Sequence, residues 1–459
     1  MPLSGPEDGS QHGSQPTGGG AGPTAGEDDR RIEAHLLAAM RGFFSGGRPG
    51  DGAGIRLGLA VSGGGDSMAM LHLMAGLAGA AGWRLSVASV DHRLRPESAE
   101  EAAFVARICA RLGLGHDLLV WRDRPATGNL MQEASRARHR LLSDWARGRD
   151  LAAVCLGHTA TDQAETFLMG LSRRSGLEGL AGMAPSRMEC GMRFIRPLLG
   201  VERAALRDYL LRRGLGWRDD PSNENPRYLR ARARKALATL APLGITVAQL
   251  NGTIGNLADV RSMARAATAE ALARVAREEA GGLWLDPTGL AGLFPEIRRR
   301  LLVGALQWFS GARHPPRAEA LARLELALLE GRAATLSGVR FAIRDGRILA
   351  LREPRAQQGA VAPDALWDHR WRLESADADA DAAADSRGAE IRALGAGGLA
   401  CLPDWRETGL PRGLLEVSPA LWRGDALLAA PLALPENARK DAPWRARIVP
   451  DLASFIISH

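Results

Sequence analysis

With 459 residues, 46% of them hydrophobic and 24% charged, the chain is long enough for two or three domains and too apolar to be disordered throughout. Its net charge of +7 is carried almost wholly by arginine, since lysine occurs only at Lys235 and Lys440; this suits a nucleic-acid partner and equally suits plain solubility. The dispersed Cys109, Cys155, Cys190 and Cys401 form no Cys-x-x-Cys, which argues against a disulfide framework or a zinc site, and with no signal peptide and no apolar run near ~20 residues the expected setting is the cytoplasm, without a membrane span.

In chain order, residues 1–30 read as a disordered tail rich in Gly, Ser, Pro and Thr. A helix is expected from about Asp29, on the spacing of Ile32, Leu36, Leu37, Met40, Phe43 and Phe44, and Gly46–Gly54 as a loop. Strands at 55–61, 85–90, 117–121 and 152–156 alternate with helices at 67–80, 98–112, 129–147 and 162–171. That alternation is the pattern of βαβ units, so 31–240 is read as an α/β domain with a parallel sheet. Residues 241–355 read as a helical domain, interrupted at Gly281-Gly282 and ending in a hairpin at 334–352 about Asp345-Gly346, a type I′ turn signal. The stretch 356–391, with Ala and Asp alternating over Ala376–Asp385, reads as a linker, and 392–459 as a small α+β module with Trp405 and Trp422 in its core.

The densest chemistry lies at Ser62-Gly63-Gly64-Gly65-Asp66-Ser67, between an apolar strand and a helix. Such a turn gathers backbone N–H groups around one concavity, and the helix dipole favours an anion there by ~0.3–1 kcal/mol. Ordering each glycine costs roughly 1 kcal/mol, which suggests backbone positions that a side chain would block. No Gly-Lys-[Ser/Thr] occurs, so this is not a Walker loop. Asp91-His92 and Gly157-His158 fall at the ends of two other strands, and ligands on parallel sheets sit at the carboxyl ends of strands. Ser98 and Glu101 have capping-box spacing, while His92 and Arg95 remain available to a ligand. Asp162 and Glu165, three apart, share a helix face. The glycine-spaced basic stretch Arg173–Met183 suits phosphate contact, and 227–235 carries Arg227, Arg230, Arg232, Arg234 and Lys235 with no acidic residue.

Ser-Gly-Gly-x-Asp-Ser after a strand resembles the PP-loop of the N-type ATP pyrophosphatases. The whole set, in order Ser62–Ser67, Asp91–Ser98, Gly157–Thr166, Arg174–Met183, Asp219–Asn223 and Arg230–Arg234, resembles the tRNA(Ile)-lysidine synthetase family over roughly residues 55–245. Departures fall at Thr159, where a second histidine is common, at Thr161, where an acid is usual, and at Ser135, where the family has arginine; Asp162, Glu165 and Arg138 match. The resemblance implies an adenine nucleotide alpha hydrolase-like fold and an AMP-forming, ATP-dependent carbon–nitrogen ligase that adenylates the wobble cytidine of a CAU-anticodon isoleucine tRNA and couples it to free lysine. On this reading Ser62, Gly63, Gly64, Gly65, Asp66, Ser67 and His158 bind ATP, and Asp66 and Asp162 hold Mg²⁺. Asp162 and Glu165 form an acidic pocket for lysine, with Asp66, Asp162 and Glu165 as the catalytic set, and Arg174, Arg230, Arg232 and Arg234 meet tRNA phosphates. It is compatible with a homodimer. The alternatives are a PP-loop tRNA thiolase, against which the lone Cys155 argues, and a non-catalytic nucleotide-binding module, which would not need the basic segment 202–235.

Overall fold

The computed structural model describes residues 25–44, 54–93, 98–122, 130–219, 227–375, 388–440 and 442–458. Most of the expected tail and of the Gly46–Gly54 loop, together with Arg95, Asp220–Asn223 and Ala376–Asp385, therefore lie outside the described residues. The chain divides into two compact units, 1–258 and 259–459. No single helix among the described residues is long and apolar enough to cross a membrane.

The first unit opens with α1 (Ala25–Phe44), which begins ahead of the expected Asp29, so residues 25–30 are helix and not tail. Glu27 and Asp28 occupy its first turn, where the dipole favours acids, and Asp29 accepts from Arg212 at 2.5 Å and Arg213 at 3.1 Å. A six-stranded sheet follows in the order β3-β2-β1-β4-β6-β5. Its parallel strands are β1 (Ile55–Ala60), β2 (Trp83–Asp91), β3 (His116–Val120), β4 (Ala153–Leu156) and β6 (Met192–Ile195), while β5 (Ser186–Glu189) is antiparallel to β6. The β5–β6 hairpin, turning at Cys190 (φ 50°) and Gly191 (φ 72°), was not expected; its strands are four residues long and too short for alternation to register. From β1 the chain runs outward to β2 and β3, then returns to place β4 on the other side of β1. The crevice between the ends of β1 and β4 is thus the switch point at which such sheets bind ligands.

Helices α2 (Gly65–Ala81), α3 (Ser98–Arg111), α4 (Leu130–Gly148), α5 (Ala160–Ser172), the single turn α6 (Leu177–Leu180), α7 (Arg203–Arg212) and α8 (Leu229–Leu240) flank the sheet, and α9 (Val247–Val275) follows. Leu57 and Leu59 point into one core with Met68, Leu71 and Met74 of α2, whereas Ala60 faces a second core with Leu142 of α4. A Cβ at Gly58 would lie 2.6 Å from the Trp145 ring, so glycine there lets α4 lie against the sheet. Ala164, Phe167, Leu237, Leu250 and Ile254 knit α5, α8 and α9 together.

In the second unit, β7 (Ala276–Glu279), β8 (Gly282–Leu285), β9 (Ala334–Leu336), β10 (Val339–Arg344) and β11 (Arg347–Arg352) form an antiparallel sheet in the order β7-β8-β11-β10-β9. It packs with α10 (Pro287–Gly292), α11 (Pro295–Ser310) and α12 (Ala318–Leu329). The hairpin at Asp345 (φ 49°) and Gly346 (φ 72°) is present as read. The interruption at Gly281-Gly282 is a second hairpin, with Ala280 at φ 48° and Gly281 at φ 79°, so the segment is not purely helical. The expected linker also carries structure: β12 (Trp371–Ser375) pairs with β16 (Trp444–Ile448), because Trp367 and Trp371 are 0% and 3% exposed and anchor a core of their own. β13 (Glu390–Ala393), β14 (Pro419–Arg423) and β15 (Ala426–Ala429) complete the unit, with Trp422 buried among them and Trp405 against it.

Candidate active site

The glycine turn leaves β1 at Ser62 and enters α2 at Gly65. Only Gly63 needs glycine for its backbone, at φ +87°; Gly64 caps the helix at φ −71°, and a Cβ on Gly64 or Gly65 would meet nothing closer than 3.5 Å. The expectation that all three positions exclude a side chain holds for Gly63 alone. The turn is braced internally: Ser67 Oγ donates to the Gly64 carbonyl at 2.9 Å and accepts from the Ser62 N–H at 3.2 Å, and the Gly63 carbonyl accepts from the Arg218 N–H at 2.9 Å. Gly157, at the end of β4, packs on this helix start, and a Cβ there would lie 3.0 Å from Ser67 Cα.

Thr159 and Asp162 form a capping box at the head of α5: Asp162 Oδ2 accepts from the Thr159 N–H and hydroxyl, both at 2.9 Å, and Thr159 Oγ1 accepts from the Asp162 N–H at 3.3 Å. Thr161 Oγ1 accepts from the Arg203 N–H at 3.1 Å. The two threonines that depart from the family pattern therefore fix α5 and the start of α7.

Arg203 binds three carboxylates at once, through Nε to Asp66 Oδ2 at 2.8 Å, Nη2 to Asp162 Oδ1 at 2.8 Å and Nη1 to Glu165 Oε1 at 3.0 Å. Glu165, completely buried, also accepts from Nε of Arg230 and of Arg234, each at 2.9 Å. This corrects two expectations. Glu165 does not line an open acidic pocket, because three guanidiniums already satisfy it. Nor do Arg230, Arg232 and Arg234 act as one block: on a 3.6-residue helix positions 230 and 234 share the face turned to Glu165, and the exposed Arg232 does not lie on it. Arg174 is exposed at φ 56° just past α5. Past it, the Gln163 side-chain amide clamps Met183, donating to its carbonyl at 3.0 Å and accepting from its N–H at 2.7 Å.

Charge states follow from these surroundings. Burial raises the Asp66 pKa against the opposing pull of Arg203. Burial would do the same to Asp162, but Arg203, Arg230 and the Thr159 N–H bring it below the ordinary carboxylate value. Burial, helped by Arg196, pushes the His158 imidazole down to about 3, so it is neutral, and its Nδ1 accepts from Arg196 Nε at 3.2 Å, leaving the proton on Nε2. His92 is likewise held neutral by burial and by the neighbouring Arg138, and its Nδ1 is buried without a hydrogen bond.

For a divalent cation, the donor set fits at one carboxylate. Asp66 Oδ1 is buried with no hydrogen-bond partner, whereas both oxygens of Asp162 already accept hydrogen bonds, Oδ1 from Arg203 and Oδ2 from the capping box, so of the two expected metal ligands Asp66 carries the oxygen without a donor. Among the described residues no three His, Cys, Asp or Glu side chains cluster as a metal site. Magnesium needs only one or two protein carboxylates when phosphate oxygens complete its shell. Sequence reading passed over Arg203 and Arg196, neither of which lies in a motif.

Residues 50–241 match the PP-loop domain family. The chain is 46% identical to the tRNA(Ile)-lysidine synthase of Ruegeria pomeroyi, over 82% of this chain and 88% of that protein. It is 38% identical to the protein of the same description from Methylobacterium nodulans, over 68% and 94%, and 37% identical to that from Zymomonas mobilis, over 62% and 84%.

Proposed function

The chain belongs to the tRNA(Ile)-lysidine synthase family, and from that membership we propose that it joins free lysine to the wobble cytidine of a CAU-anticodon isoleucine tRNA at the expense of ATP. The cytidine carbonyl oxygen attacks the α-phosphorus and pyrophosphate leaves. The lysine ε-amine then bonds to carbon 2, the carbon–oxygen bond breaks, AMP departs with the oxygen, and the nitrogen gives up its proton.

The observation that carries this reading is Asp66: a buried carboxylate oxygen without a partner, at the start of α2 and in the crevice between β1 and β4. The first N–H groups of α2 have no acceptor within the helix and would hold phosphate oxygens. Mg²⁺ would be held by Asp66 through Oδ1 and, when bound, supplies charge neutralisation for the leaving pyrophosphate. His158 serves as a donor through Nε2–H and not as a base, since Arg196 occupies its other nitrogen. Arg138 pairs with no carboxylate among the described residues, and its charge acts on His92 and His158. That leaves it to stabilise negative charge on the phosphoryl group or the activated carbonyl. The lysine ammonium would reach Glu165 by taking the place of Arg230 and Arg234, which are 45% and 37% exposed and would turn to tRNA phosphates. Glu165 would then accept the proton that the amine must lose.

Mass spectrometry of nucleosides from isoleucine tRNA after incubation with ATP and lysine tests the reaction. Lysidine is the expected product, a sulfur-bearing nucleoside would indicate a thiolase, and an unmodified cytidine would refute both. Asp66→Asn should abolish AMP formation while leaving tRNA binding intact.

A further inference from the structure

Arg203 stands apart from the other cations of the site. Its three side-chain nitrogens are each spent on a different carboxylate, one on α2 and two on α5, and its backbone N–H is held by Thr161. Its side chain is 17% exposed, against 45% and 37% for Arg230 and Arg234, each of which donates through Nε to Glu165. The latter two can exchange with solvent or phosphate; Arg203 cannot leave without breaking its bonds to three carboxylates together. The engaged oxygen of Asp66 is Oδ2, and the oxygen left without a partner is Oδ1. A guanidinium fork can span three acceptors with fixed directions, which a compact ammonium cannot do.

We infer that Arg203 is a positioning residue for the adenylation step: a permanent internal cation that pins Oδ2 of Asp66 so that Oδ1 is the oxygen turned to magnesium–ATP. It acts through Asp66, and the inference rests on the reading of Asp66 given above. A bridge that served stability alone would have no reason to leave the second oxygen of a buried carboxylate without a donor.

The test is equilibrium binding by calorimetry on the full chain, comparing the wild type with Arg203→Lys and Asp66→Asn. Binding is measured for a non-hydrolysable ATP analogue with magnesium, the same analogue in EDTA, and tRNA. Arg203→Lys should weaken magnesium–analogue binding at least tenfold, while binding in EDTA and tRNA binding stay within threefold. Where that variant does not fold, Arg203→Gln combined with Asp162→Asn, which removes one charge of each sign, takes its place with the same expectation. Magnesium-dependent binding that is unchanged in a folded Arg203 variant, even one with a lowered melting temperature, overturns the inference. If Asp66→Asn also leaves that dependence unchanged, the reading of Asp66 falls with it; if Asp66→Asn removes it and Arg203→Lys does not, only the role of Arg203 falls.

Discussion

Replacing Gly157 by alanine should misplace the phosphate turn without removing a ligand-binding atom. The added Cβ would lie 3.0 Å from Ser67 Cα, 3.2 Å from Ser67 N and 3.3 Å from Asp66 C, all backbone atoms of the first turn of α2. Non-bonded carbons settle at about 3.5–4.0 Å, so that turn must retreat by about 0.5 Å. It is not free to do so, because Ser67 Oγ is tied to Gly64 and Ser62. Overpacking of this kind costs about 1–3 kcal/mol. A reacting group misplaced by ~1 Å costs ~100-fold in rate, so about tenfold is expected here. The assay is AMP release at saturating tRNA and lysine, alongside the urea midpoint followed by tryptophan fluorescence. Gly76→Ala, in the middle of α2 with nothing within 4 Å, is the control and should leave turnover unchanged. Turnover within twofold of wild type for Gly157→Ala, with an unmoved midpoint, would refute the claim that β4 and the helix start form one rigid unit.

Glu165→Gln leaves Arg203, Arg230 and Arg234 facing a neutral group; it should cost about 3–5 kcal/mol of stability and raise the lysine KM more than the ATP KM, which steady-state kinetics at saturating tRNA will decide. Arg232→Ala, on the exposed face of α8, should leave the melting temperature alone and reduce the salt slope of tRNA binding by about 1. The imidazole of His158 faces Arg196, Asp162, Arg138 and Arg230, and its pKa is about 3 folded against 6.5 unfolded. Between those values the unfolded chain binds the extra proton, so the contribution of His158 is complete above pH 6.5 and is lost as the pH falls toward 3, by at most ~1.4 kcal/mol per unit. His158→Gln should flatten that limb of the pH–stability curve, and an unchanged slope would count against the buried neutral imidazole.

What was legible in the sequence was local. The strand, glycine turn and helix around Ser62–Ser67 follow from neighbours within a dozen residues, and so does the Asp345-Gly346 hairpin. Arg203 was illegible because its meaning lies in Asp66, 137 positions away, and in Asp162 and Glu165, about 40 away. Arg-x-Arg-x-Arg was seen as one charged run, although helical geometry turns its first and last members to a buried acid and its middle one to solvent. Thr159 and Thr161 stood out in the sequence only as departures from the family pattern, whereas a hydroxyl at each satisfies a backbone N–H. The stretch 356–391 was discounted on composition, while Trp367 and Trp371 decided its fate by burial.

Among the described residues, each charged nitrogen that meets the site's carboxylates or histidines belongs to an arginine: Arg138, Arg196, Arg203, Arg230 and Arg234. A guanidinium stays protonated wherever the protein is folded and has no lone pair to offer an electrophile. In the proposed reaction these five side chains would offer an activated cytidine no amine to compete with that of the incoming amino acid.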